Sequence, residues 1–396
     1  MMKWMTRLLA LVMCLMLVLP ALAEDDEDFY VLDEITEDVL LEDEEEEFFI
    51  GDSSEVAAME EDLDSLERDP DVDPNSLDVN PNLPDNVVNI LLIGVDMHEN
   101  DINSKASLLH NDVTMILSIN LDDGSIKLTS IQRDLYCTIP GYRDKGRINV
   151  AYARGMGRNA ANGENSGAEL AMRTVNKNFE LNITQYVVIN FYGVASIIEE
   201  MGGVDVDLTK GEALAINNYL KKNGRRMTYD TKGNADREPL EVRKEMGSTE
   251  KYVLHLDGIQ ALMYARLRSG MKTGNNDFNR TARQRHLLEL LLKQTLPGLD
   301  MNRVSSLLKL ASPYLRTNLS GSAMLQLVVG VMSQGNLMEK AKNGEEVLQQ
   351  HRVPLDNGYS YDNVDGSSVV VMSTSQWKNA VQSIHYFIYN DYYPAD

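Results

Sequence analysis

Apolar residues fall into three kinds of run along this chain, and each kind predicts a different element. Near-continuous apolar stretches at 87–94 and 113–120 have the length and β-branched content of strands buried on both faces. The second leads through Asp122-Asp123-Gly124 into an alternating stretch at 125–131, which predicts a hairpin. Helical spacing of apolar positions appears over 169–179, 194–201, 304–310, 322–332 and 377–389. Shorter strands are predicted at 186–191, 204–208, 351–354 and 368–372, whereas 217–250 is polar and reads as a long excursion with some helix. Strands alternating with helices, and a hairpin among them, predict an α/β fold with a mixed central sheet.

One stretch, 256–292, carries a dense set of arginines. Asp257 is placed to cap a short helix over 259–264, after which the chain is expected to turn extended. Alternation would then put Arg266 and Arg268 on one face. Beyond a loop at 269–276, Arg280, Arg283 and Gln284 fall at helical spacing, followed by Leu287, Leu288 and Leu291. Guanidinium groups gathered at one spot call for an anion, and phosphate oxygens match their forked donors. The same spacing also suits surface arginines paired with nearby acids, and spacing alone does not separate the two. Asp96, Asp112 and Arg133 stand at predicted strand ends, where ligands of α/β sheets bind. Either aspartate alone suits a turn or a cap. Together, two carboxylates for a hard divalent ion and arginines for phosphate oxygens describe a site for pyrophosphate chemistry. No phosphate loop of the Gly-x-x-x-x-Gly-Lys type is present, and no His/Cys cluster points to zinc.

Charge divides the chain unevenly. The net charge is −24, yet residues 24–69 hold 23 acids against Arg68, and only Lys3 and Arg7 precede them. Everything from Pro70 onward therefore carries just −4, which offers no basic face for nucleic acid. The first 23 residues, with Lys3 and Arg7, an apolar run and Ala21-Leu22-Ala23, are expected to be a cleaved signal peptide, with a short uncleaved anchor as the alternative. Residues 24–69 are expected to be disordered or loosely helical, 70–85 to form a Pro-rich linker, and 86–390 to form one catalytic domain. Cys137 is the only cysteine outside the signal segment, so no internal disulfide is available to the exported part, and packing is the expected role.

Several of these pieces, in order, resemble the LytR-CpsA-Psr family of bacterial envelope proteins. They are Asn89-Ile90-Leu91-Leu92-Ile93-Gly94-Val95-Asp96, Asn111-Asp112, Gln132-Arg133-Asp134 and Arg147-Ile148-Asn149-Val150-Ala151-Tyr152-Ala153. Gly202-Gly203-Val204 follows, then 258–268 with its Arg-x-Arg, and 277–284 with its Asp-Phe-x-Arg-x-x-Arg-Gln. The likeness spans about 87–292. It implies a three-layer αβα sandwich with an apolar tunnel, for which the helices at 194–201 and 287–292 supply candidate walls. The implied activity is a phosphotransferase that moves a glycopolymer, such as teichoic acid or capsule, from a polyprenyl pyrophosphate carrier at the membrane surface to peptidoglycan. By motif, Asp96 and Asp112 would hold Mg2+ (or Mn2+), while Arg133, Arg266, Arg268, Arg280 and Gln284 would grip the pyrophosphate. Arg283, Arg147 and His110 are further expected substrate contacts. The chain departs from the family at His110, where arginine is usual, at Gln132, where proline is usual, and at Arg147, where lysine is usual. His110 weakens one expected cationic contact, since histidine is mostly neutral at pH 7. A pyrophosphatase on the same lipid and an inactive lipid-binding scaffold are the alternative readings.

Overall fold

The computed structural model describes residues 53–95, 111–158, 166–223, 238–243, 245–247, 250–267, 276–295, 305–306, 308–309, 311–334 and 337–395. In chain order the first elements are helix α1 (Ser53–Asp64), strands β1 (Val87–Val95), β2 (Asn111–Asn120) and β3 (Ile126–Ile131), and the short pair β4 (Tyr136–Cys137) and β5 (Gly146–Arg147). Helices α2 (Ala151–Arg158) and α3 (Ser166–Phe179) lead to β6 (Gln185–Asn190), α4 (Phe191–Glu200), β7 (Val204–Thr209), α5 (Lys210–Asn223) and β8 (Lys251–Leu256). Then come α6 (Gly258–Arg266), α7 (Asn276–Thr295), β9 (Leu315–Thr317), α8 (Gly321–Gln334) and α9 (Leu337–Lys342). The chain closes with β10 (Gln349–Val353), β11 (Ser360–Val364), β12 (Ser367–Val371) and α10 (Thr374–Tyr389).

A six-stranded sheet in the order β10-β3-β2-β1-β6-β9 forms the middle layer. It is mixed: β1 runs parallel to β6 and β10 to β3, while β1/β2, β2/β3 and β6/β9 are antiparallel. The continuous apolar runs of β1 and β2 occupy its centre because both of their faces are covered. One face packs Ile90, Leu92 and Met115 against Val194 and Ile198 of α4 and Leu288 and Leu291 of α7. The other packs Leu91, Ile93 and Ile116 against Met172 and Val175 of α3 and Ile384 and Ile388 of α10. The result is the expected α/β sandwich. In the helices expected to supply tunnel walls at 194–201 and 287–292, Val194, Ile198, Leu287 and Leu291 are all buried and belong to the core cluster on this face.

Strand β7 lies outside the main sheet and pairs with β8 as a separate ribbon. Its alternating burial, with Asp205 and Asp207 outward, has one covered face only.

The expected boundary at Asn86 moves toward the N-terminus. Residues 53–69, read from their acidity as disordered or loosely helical, form the regular helix α1 and an anchored tail, and the stretch read as a linker at 70–85 contributes Leu77 and Leu83 to the core. The physical reason is a minority of apolar positions aligned on one side: Leu63 is fully buried, with Met59 and Leu66 beside it. Asp69 is held by the guanidinium of Arg316 at 2.9 Å and by the Tyr186 hydroxyl at 2.5 Å, so this carboxylate is buried with a partner. The signal segment and residues 24–52 lie outside the described residues. Among the described residues no helix is long and apolar enough to cross a membrane.

Candidate functional site at one edge of the sheet

Four strand ends meet at one edge. Val95 closes β1 between Asn190, the last residue of β6, and Asn111, the first of β2. Ile131 closes β3 opposite Thr114 and beside Val353 of β10. The β1/β2 register skips Asp112 between Gly94↔Val113 and Val95↔Asn111, a bulge of the kind that re-aims a side chain. The Asp112 side chain is 2% exposed, and its Oδ1 accepts a hydrogen bond of 2.7 Å from Nη1 of Arg133.

Arg133 stands two residues past the end of β3. Its backbone is held by the Gln132 N–H on the Val353 carbonyl and by its own carbonyl, which accepts from Asn149 N–H at 3.2 Å. Asp134 lies 3.5 Å from Arg133 Nε and 3.3 Å from Arg147 Nη1. Charges therefore alternate as Asp112, Arg133, Asp134, Arg147, and exposure rises along the row from 2% at Asp112 to 28% at Arg147. A buried carboxylate at the floor holds the first guanidinium rigid, and the second stands at the mouth.

Helix α7 is tied to the sheet by Arg285, which donates to Ser130 Oγ at 2.5 Å and to Gln350 Oε1 at 3.0 Å. Burial and the neighbouring Arg352 push the Arg285 guanidinium down to about 10. One turn of α7 separates Arg280 and Gln284, and both side chains are buried, at 1% and 0% exposure. Neither the oxygen nor the nitrogen of the Gln284 amide has a hydrogen-bond partner. Asn111 Oδ1, Asp112 Oδ2, Asn149 Oδ1 and Asn190 Nδ2 are likewise buried and without partners. Buried polar atoms are nearly always bonded, so the orphans on Asn111, Asp112, Asn149 and Asn190 at this sheet edge point to a polar ligand.

Two expectations change. Arg266 does not lie on an extended strand: α6 continues through it, and the Leu267 N–H bonds the Tyr264 carbonyl. Its guanidinium sits 5.6 Å over the Tyr219 ring. The cause is a strong start, for Asp257 and Gln260 form a full capping box and the helix they launch outlasts its apolar signal. Arg283, expected as a substrate contact, is bound by Glu212 at 3.1 Å and by the Leu267 carbonyl at 2.8 Å. It ties α7 to α5 and to the end of α6. Asp96, His110 and Arg268 lie outside the described residues.

The sequence pattern does not single out Asp134, Asn111, Asn149, Asn190 or Arg285 as site residues. The first three sit within the quoted motif pieces, but a search for charge passes over neutral amides and over an acid next to an arginine. Asn190 falls inside the predicted strand 186–191, and in the structure its Oδ1 caps α4 by accepting from the Gly193 N–H at 2.9 Å. Arg285 has no sequence signal, because it projects from the flank of α7 rather than from the Arg280–Gln284 face. The Cys137 thiol is fully buried and pushed up to about 12 by desolvation, consistent with packing rather than nucleophilic chemistry.

The LytR_cpsA_psr family model matches residues 48–383. The chain is 27% identical over 277 residues to the polyisoprenyl-teichoic acid–peptidoglycan teichoic acid transferase TagU of Enterococcus faecalis, covering 70% of this chain and 74% of that protein. It is 26% identical over 293 residues to the regulatory protein MsrR of Staphylococcus aureus, covering 72% and 71%. Among solved structures, TagV of Bacillus subtilis superposes with a TM-score of 0.52 at 20% identity, covering 79% of this chain and 100% of that one. Protein gbs0355 of Streptococcus agalactiae superposes with a TM-score of 0.55 at 20% identity, covering 76% and 88%. The matched residues include α1, the mixed sheet and every motif that meets at its edge, and the chain belongs to the LytR-CpsA-Psr family.

Proposed function

We propose that this protein transfers a glycopolymer from a polyprenyl pyrophosphate carrier to peptidoglycan, outside the cytoplasm, with teichoic acid or a capsular polysaccharide as cargo. The observation that carries the reading is the Asp112–Arg133–Asp134–Arg147 row at the sheet edge, in a family whose member TagU is named a teichoic acid transferase. In the reaction a sugar hydroxyl of the acceptor attacks the phosphorus next to the polymer. A new O–P bond forms, the bond to the bridging oxygen breaks, and polyprenyl phosphate departs with that oxygen while the hydroxyl proton is lost to water. Negative charge grows on the departing phosphate. Arg133 is fixed by a buried carboxylate before substrate arrives, so its donors stabilise that charge without reorganising. Arg147 at the mouth adds a second cation, and by motif Arg266, Arg268, Arg280 and Gln284 complete the grip.

A divalent cation fits this site as part of the same proposal. Asn111 Oδ1, Asp112 Oδ2 and Asn149 Oδ1 are buried oxygens that no donor reaches, and oxygen sets suit Mg2+ or Mn2+. Asp96 follows β1 directly in the chain and belongs to this expectation. Bound there, the ion would neutralise charge on the pyrophosphate oxygens.

The test supplies lipid-linked donor with and without peptidoglycan. Polymer should become attached only when the acceptor is present, and Arg133→Ala should slow transfer by roughly 100-fold. Equal rates for wild type and Arg133→Ala would remove the site. Polymer phosphate released without acceptor would identify a hydrolase instead.

A further inference from the structure

On the α3/α10 side of the sheet, a cavity of about 430 Å³ opens between the β4–β5 pair, the end of α3 and the start of α10. Lys145, Lys177 and Lys378 line it together with Trp377 and Tyr392, and Glu180 is the one acid among the lining residues. Glu180 is already engaged, accepting from the Ala395 N–H at 3.0 Å. Among the described residues none of the three lysines takes part in an ion pair. Three lysines without an ion-pair partner among the described residues thus surround one cavity that offers a single, already engaged acid. The walls are fixed: Asn178 bonds both the N–H and the carbonyl of Thr138, and the Trp377 ring rests 5.6 Å from that of Phe179.

We propose that this cavity binds an anionic saccharide, the phosphate- or carboxylate-bearing repeats of the cargo polymer. Lysines supply compact charges for separate anionic groups, and the faces of Trp377 and Tyr392 supply flat surfaces for sugar rings. A patch meant only for acidic peptide has no need of an indole platform. Position agrees with the assignment. Lys145 immediately precedes β5, and its backbone lies within about 7 Å of that of Arg147 at the mouth of the sheet-edge site. A polymer leaving the pyrophosphate past Arg147 therefore reaches the first lysine within one sugar unit. This cargo subsite rests on the transferase reading, but its binding is measurable without transfer.

Only Trp4 and Trp377 are tryptophans, so the full chain carrying Trp4→Phe reports on Trp377 alone. Its emission is titrated with a lipid-free glycerol phosphate oligomer, a neutral chitin oligosaccharide and polyglutamate. The glycerol phosphate oligomer should bind saturably, more weakly as salt rises. The triple variant Lys145→Ala/Lys177→Ala/Lys378→Ala should bind it about tenfold less tightly, and the matching triple arginine variant should recover most of the loss. Binding of polyprenyl pyrophosphate should be unchanged in the alanine variant, which separates failure of this subsite from failure of the sheet-edge site. Equal binding of the neutral oligosaccharide, or no saturable signal from the charged one, would overturn the proposal. Tighter binding of polyglutamate would also overturn it and assign the cavity to acidic peptide.

Discussion

Gln284 states the tension at the site most sharply. Its amide is fully buried with neither end bonded, a loss of about 1–3 kcal/mol relative to a satisfied group. A leucine of similar volume would avoid that loss. Gln284→Leu should therefore raise stability by about 1 kcal/mol in thermal unfolding while lowering transfer at least tenfold, if the amide waits for phosphate oxygens. A variant that is neither more stable nor less active would show the amide to be satisfied some other way. Asp112 presents the complementary case. Its carboxylate is what fixes Arg133, so Asp112→Asn keeps the shape but removes the charge that holds the guanidinium. Transfer should fall with little change in melting temperature, because Arg133 is 18% exposed and water can reach it.

At the level of elements, the site depends on how closely α6 and α4 cross. A Cβ on Gly258 would stand 1.9 Å from the Ala195 carbonyl, so only glycine lets the first turn of α6 lie on α4. Gly258→Ala should cost at least about 1–3 kcal/mol, read by denaturant unfolding, and should displace Arg266 at the far end of the same helix. Asp257→Ala removes the capping box and should cost about 1 kcal/mol without that displacement. The pair separates helix stability from helix position. Arg283 belongs at this scale as well. Its bonds to Glu212 and to the Leu267 carbonyl hold α5, α6 and α7 together, so Arg283→Met should weaken the fold more than it weakens binding of polyprenyl pyrophosphate.

For the whole molecule, the N-terminal segment is structural. The end of α1 lies directly on the start of α8, where a Cβ on Gly321 would meet the Leu63 carbonyl at 2.3 Å. Asp64 Oδ1 accepts from the Ser322 N–H at 2.8 Å, and Asp69 bridges Arg316 and Tyr186. A chain begun at Asn86, where the apolar pattern first becomes strong, should melt well below one begun at Ser53. Leu63→Ala alone should cost about 2–5 kcal/mol, since its side chain is fully buried.

The sequence by itself determined β1, β2, β3, β6 and β10 of the main sheet and helices α3, α4, α6, α7, α8 and α10. Helices α1, α2 and α5 and strand β8 carry no comparable local signal. The apolar runs of β1, β2 and β3 and the hairpin turn between them are local signals, strong because both faces of those strands are buried. It also marked Asp112, Arg133 and Arg147 as chemistry, through residue type at strand ends and through resemblance. The tertiary structure alone decided which of those charges meet. The bulge that re-aims Asp112, the docking of α7 by Arg285 and the diversion of Arg283 to Glu212 all depend on contacts between segments far apart in the chain. Tertiary contacts also decided that an acidic segment is ordered, because a few buried positions such as Leu63 and one well-paired carboxylate at Asp69 outweigh the average composition around them. Periodicity reports the environment of one element; a site is a relation between several, and the sum of long-range packing fixes it.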